Sequence, residues 1–199
     1  GTEGPTKSIN PAKRRSHRAE FALAQGRALY ARACYRQGAE VLGAALAELE
    51  TEDESLAAEL EAAYVVAASL VPSLAGAVST RRELILGALP DAPTPAQRSA
   101  VAQLAAMASL LGDPRSSVRE LAELAWGGGA LLDGETVDGL SWPMLTAALL
   151  FTDELERVVE ICDAALANAR DCESALGFAT VSYCRGWALY EQGRIADDE

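Results

Sequence analysis

Apolar residues recur at i, i+3, i+4 and i+7 along nearly the whole chain, interrupted only by short turn signals. That period confines the chain to helices, each with one face to bury. Ala and Leu dominate the half of the residues that are hydrophobic, and aromatics are few. Ala and Leu favour helix, whereas the Val, Ile, Thr and aromatic enrichment of strands is missing. An all-α protein follows.

Punctuation sets the helix limits. The first two helices are expected over about 16–34 and 36–49. The acidic run 50–55 opens a third, with carboxylates at its positive end, and Pro72 stops it after Val71. A shorter helix covers 79–89. Thr94 and Gln97 form a capping box that opens a helix to Leu111. Gly112 and Asp113 turn the chain, and Pro114 starts a helix ending near Trp126. From Gly127 through Gly134 and Gly139 to Ser141 the sequence reads as one long irregular stretch. Helices then resume over 143–152, 154–170 and 174–192. The expectation is a flexible N-terminal segment over 1–15, then a single helical domain over 16–199 with about nine helices.

An internal repeat emerges from the same pattern. Gly26 serves as a small contact residue of a first helix, and Leu29, Tyr30, Tyr35, Gly38, Leu42, Ala45 and Leu46 follow at tetratricopeptide offsets. A closing small–large pair recurs at Ala88–Leu89, Ala125–Trp126 and Ala165–Leu166. The gaps, 43, 37 and 40 residues from Ala45 onward, exceed the 34-residue tetratricopeptide form. Gly186, Leu189, Tyr190, Gly193 and Ile195 restart the series and break off within it. The predicted architecture is a right-handed superhelical stack of antiparallel helical hairpins ending mid-repeat. A hairpin cannot bury its apolar face without its neighbour, so a piece of a longer protein is expected.

Charge narrows the function classes. The formal net charge is −12. Residues 1–36 hold eight Lys or Arg against two acids, a balance of +6, which leaves −18 for the rest. An acidic body disfavours contact with phosphate backbones, so no direct nucleic-acid contact is expected. The cluster from Lys13 to Arg18 reads as the solvated start of the first helix. No apolar run reaches the length of a membrane span, and the four cysteines follow no C-x-x-C spacing. A cytoplasmic protein is the expectation.

Chemistry-bearing residues are sparse. His17 is the single histidine and sits in a polar, basic stretch. Pairs such as Asp153–Glu154 fall at turns, where carboxylates ease helix starts. The run Gly127–Gly129 follows a helix and lacks the Lys of a phosphate loop. These features point to a non-enzyme without cofactor or metal.

Aromatics are the better lead. In a tetratricopeptide stack the first helix of each hairpin lines the concave face. There the inner stripe would be Arg27 and Tyr30 on the first unit, and Tyr183, Trp187 and Tyr190 on the last. Aromatics and Arg are enriched at binding hot spots. The competing reading packs Trp187 and Tyr190 on a helix that follows Glu199. Without that helix an apolar patch is exposed, and self-association through the C-terminal repeat end is expected.

The segments 121–125 (LAELA), 128–132 (GGALL), 151–155 (FTDEL), 164–170 (AALANAR), 177–179 (GFA), 185–189 (RGWAL) and 193–197 (GRIAD) carry a family likeness. With them, the stretch from Gly112 to Glu199 resembles the helical region of actinobacterial large ATP-binding LuxR-family (MalT-like) transcriptional regulators. Residues 19–60 are similar to the repeat just upstream. The resemblance implies a segment between a nucleotide-binding domain and a helix-turn-helix reader, receiving a signal from an inducer or partner protein. The 199 residues depart from the full pattern: they hold neither a phosphate loop nor a DNA reader, and Asp198 stands where the repeat has Ala. A free-standing tetratricopeptide-like scaffold that binds a peptide or partner protein is the alternative.

Overall fold

The computed structural model describes residues 11–49, 54–134, 136–139 and 141–194. These residues are all-helical: ten α-helices, two 3-10 turns and no strand among them. They divide into two compact units, one ending at Leu74 and the other beginning at Ala75.

The first unit contains α1 (Pro11–Ala31), α2 (Tyr35–Glu48), α3 (Glu54–Ser69) and a 3-10 turn at Pro72–Leu74. Helix α1 starts five residues ahead of the expected Ser16, so the segment expected to be flexible is helical from residue 11 onward; residues 1–10 lie outside the described residues. Proline at the first helical position explains the early start, because its missing N–H has no intrahelical partner there anyway. Helices α1 and α2 pack together, and α3 packs on both. Leu23, Leu42, Leu60 and Val65 fill the interior. The α1–α2 approach is close because Gly26 lacks a side chain: a Cβ there would lie 2.5 Å from Leu42 Cγ.

The second unit contains α4 (Ala75–Gly87), α5 (Pro95–Leu111), α6 (Arg115–Trp126), α7 (Ala130–Gly134), α8 (Ser141–Leu150), α9 (Leu155–Asp171) and α10 (Ala175–Glu191). Helix α5 packs on α6 and α8, and α9 pairs with α10. The Thr94 capping box forms as its sequence predicts: the Gln97 N–H donates to Thr94 Oγ1 at 3.3 Å, and the Thr94 N–H donates to Gln97 Oε1 at 2.8 Å. Trp142, Leu131, Leu145, Leu149 and Ile161 are fully buried in one core.

The long irregular stretch expected over 127–141 is corrected over Gly127–Gly134, whereas 136–139 are non-helical as expected. A 3-10 turn occupies Gly127–Gly129, and the short α7 follows. Gly127 and Gly128 take left-handed φ of 54° and 67°, which end α6 and redirect the chain. Burial of Leu131 and Leu132 then favours the next helical turn despite its glycines.

One turn geometry recurs. Ala33, Gly112, Asp153, Glu173 and Gly193 each take a left-handed φ between 54° and 78°. In every case the N–H of that residue donates to the carbonyl three back, and the next N–H donates to the carbonyl five back from itself. For example, Asp153 donates to Leu150 at 3.2 Å and Glu154 to Leu149 at 2.9 Å. This Schellman-type closure satisfies the orphan carbonyls of one helix, and at Ala33, Gly112, Asp153 and Glu173 the next helix starts after a very short connection.

Candidate binding surfaces

The five sequence-derived contact residues divide between the units. In the first, Arg27 projects from α1 and pairs with Glu59 of α3 at 3.2 Å. It lines an open groove of about 310 Å³ with Glu20, Leu23, Ser55, Leu56 and Glu59. Tyr30 does not line that groove. It is half-buried against Tyr35, ring centroids 5.2 Å apart, and burial followed by the Tyr35 neighbour pushes its hydroxyl pKa up.

In the second unit, Tyr183, Trp187 and Tyr190 lie along one exposed stripe of α10, at 67%, 41% and 63% exposure. Tyr183 meets Trp187 edge-on at 6.1 Å, and the Trp187 indole N–H donates to Glu191 at 3.2 Å. Leu176, 73% exposed, extends the stripe. The sequence reading missed it, although it stands seven residues before Tyr183 on the same helical face. The opposite face of α10, with Val181, Ala188 and Leu189, is buried. Phe178 lies off the stripe under the Arg170 guanidinium, 5.6 Å from its ring centre.

A second open groove, about 260 Å³, runs between α1 and α2. Ala19, Ala22, Ala44 and Leu49 line it, with Arg15 and Arg18 beside them. Small residues leave room for a bulky visitor, a signal that the alanine spacing alone did not give away.

The remaining chemistry-bearing groups have structural partners. His17 Nδ1 lies 3.1 Å from Glu20 Oε2, with both side chains exposed. At the glycine run, Arg98 Nη1 donates to the Leu124 carbonyl at 2.6 Å, so the helix exit is capped from α5. Glu154 is nearly buried and accepts from Arg115 Nε at 2.7 Å, with Arg119 at 3.4 Å. Its pKa is held below the usual 4.5, first by the Arg115 hydrogen bond and against the effect of burial. Because the folded pKa is the lower one, the stabilisation is present above the ordinary value and is lost as pH falls through the folded value. A Glu154→Gln variant should therefore melt below wild type at neutral pH. The gap should close as the pH falls from the ordinary carboxylate value through the lower folded value, as thermal melts at a series of pH values would register.

Burial pushes the Cys162 thiol up to about 12, with Cys184 a smaller contributor, and burial raises Cys184 as well. Cys172 is exposed. Since the thiolate is the reactive form, a disulfide-exchange reagent should label Cys172 rapidly and Cys162 only after unfolding. Mass spectrometry of labelled peptides checks this, and rapid native labelling of Cys162 would contradict the packing of α9.

Among the described residues no cluster of three His, Cys, Asp or Glu is placed to hold a metal ion, and no helix is long and apolar enough to cross a membrane. Compared with known proteins, the chain matches no family model, no curated sequence and no solved structure.

Proposed function

We propose that this chain is a non-catalytic, partner-binding helical-repeat segment of a cytoplasmic transcriptional regulator, resembling the middle region of large ATP-binding LuxR-family proteins. The observation that carries the reading is a 40-residue register. The left-handed turn residues Gly112, Asp153 and Gly193 are spaced 41 and 40 apart. The one-residue excess is Asp113, which stands between Gly112 and the cap residue Pro114, whereas Glu154 caps α9 directly after Asp153. On the following helices, Val118, Ala122 and Ala125 are each 40 residues before Val158, Cys162 and Ala165, and all six are buried. Gly38, Leu42 and Ala45 stand a further 80 residues upstream at the same positions. Such phasing is what a right-handed stack of hairpins requires, because each hairpin must present the same face to its neighbour.

Arginines on three helices each reach a later turn. Arg36 of α2 donates to Ser73 at 3.1 Å, Arg82 of α4 to Asp113 at 2.7 Å, and Arg115 of α6 to the Asp153 carbonyl at 2.9 Å. The exposed aromatic stripe of α10 supports a binding role, since Tyr and Trp concentrate affinity where they can be desolvated. An inducer or partner protein engaging such a surface would relay its signal by favouring one arrangement of attached domains, which needs unequal affinity for the two states. Sequencing the genomic reading frame on both sides tests the reading. A nucleotide-binding loop upstream and a helix-turn-helix downstream are expected; a frame with neither would overturn it and leave the free-standing scaffold.

A further inference from the structure

Helix α4 is the least buried helix of the second unit. Of its thirteen residues only Val78 is fully buried, against nine of the seventeen in α5, the helix on which it chiefly packs. Leu84 is 61% exposed. Leu86 is partly buried where it meets the core of the unit, as is Leu89 just beyond the helix. A segment with so few buried apolar groups opens at a cost well below that of global unfolding.

The sequence of α4 adds little helical stability of its own. Thirteen residues fall within the length at which an isolated helix is marginal even when rich in alanine. Gly76, Val78, Ser79, Thr80 and Gly87 are all weaker helix formers than the Ala and Leu of its neighbours. A Cβ at Gly76 or Gly87 would meet open space, so neither glycine serves a close approach. Ser79 and Thr80 donate their hydroxyls back to the carbonyls of Ala75 and Gly76, each at 3.1 Å, a bond that slightly destabilises a helix. Pro72 before α4, and Pro90 and Pro93 after it, keep helical order from spreading in from α3 or α5.

A clasp holds this weak helix in place. Arg82 Nη1 donates to Asp113 Oδ2 at 2.7 Å, with the two side chains 29% and 26% exposed. Asp113 sits on a fixed turn, since its own N–H donates to the Ala108 carbonyl of α5 at 2.9 Å. The acceptor therefore stays in position whether or not α4 is docked. Arg82 and Leu86 stand four apart on one helical face, so the ion pair and the apolar contact open together.

We propose that α4 is a detachable strap, which undocks from α5 and loses its helix while the rest of the second unit stays folded, then re-docks through Arg82 and Leu86. Undocking uncovers the apolar surface beneath Leu86 and frees the Asp113 carboxylate. Anything that binds one of the two states in preference shifts the balance between them. The inference rests on burial and composition, and on neither the repeat register nor the regulator assignment.

Hydrogen–deuterium exchange of the full chain, followed by mass spectrometry at a series of low urea concentrations, tests it. Amides of residues 79–87 should exchange at least about a hundredfold faster than those around Val101 and Ala105 of α5, yet slower than an unstructured peptide. Their exchange should hardly respond to urea, because a local opening exposes little surface. Asp113→Asn should speed exchange in α4 by about threefold or more and leave α5 unchanged. Gly76→Ala/Thr80→Ala, at two exposed positions, should slow it by about threefold. Exchange of α4 at the α5 rate, with the same urea dependence, would mean that it opens only with the whole unit and would overturn the proposal. Exchange at the rate of an unstructured peptide would overturn it too, since a strap must dock.

Discussion

Replacing Trp142 by alanine is expected to destabilise the second unit by about 3–5 kcal/mol, the largest loss for any single side chain in this protein. Trp142 is 1% exposed and sits among Leu131, Leu145, Leu149 and Ile161, in a core with no other fully buried aromatic ring. Its indole N–H donates to the Val137 carbonyl, which ties the segment before α8 to that core. Truncation would leave a cavity and an unpaired carbonyl, two costs that add in the same direction. Urea unfolding followed by circular dichroism measures the effect. A loss below about 1 kcal/mol would mean that α8 does not pack as described.

Gly26→Leu should be the most damaging change in the first unit, at about 3 kcal/mol. A Cβ at this position would fall within 2.7 Å of three Leu42 carbons, and Leu42 is 1% exposed with nowhere to move. The substitution favours helix by roughly 1 kcal/mol in isolation, so steric overlap must dominate for the sign to be destabilising. Combining it with Leu42→Ala exchanges the large and small partners across the same contact and should restore much of the loss. The double-mutant cycle thus reports directly on the α1–α2 approach. Gly26→Leu with wild-type stability would place these helices farther apart.

Much of the helical order was legible because its signals are chemical. The Thr94–Gln97 box, the Gly112–Asp113–Pro114 turn and the stop at Pro72 all use residues with one strong local preference. The turns at Ala33, Asp153 and Glu173 were legible only as breaks in periodicity. Each places a side-chain-bearing residue in the left-handed region, where glycine would have announced it. Helix α7 was hidden for the opposite reason. Glycines at 127–129 and 134 argue locally for a loop, and only burial of Leu131 and Leu132 against the core turns the balance.

The contact surfaces divide in the same way. Helical spacing was enough to align Tyr183, Trp187 and Tyr190, and they do share one face of α10. Spacing could not show that Tyr30 would turn toward Tyr35, because that depends on how the first turn brings α2 back along α1. Nor could it reveal the groove over Ala19, Ala22 and Ala44. Alanine at helical spacing reads as close packing whether or not another helix arrives. The ion pair of Arg115 with Glu154 was equally invisible, since a separation of 39 positions means nothing until the turn at Asp153 is built.

The repeat register is the central claim, and backbone nuclear magnetic resonance tests it most directly. Chemical shifts should place Ala33, Gly112, Asp153, Glu173 and Gly193 in the left-handed region. Amide exchange should be slowed at the following residues Cys34, Asp113, Glu154, Ser174 and Arg194, whose N–H groups close the turns. Helical or extended φ at Gly112 or Asp153, with fast exchange at the next amide, would break the phasing and contradict the account.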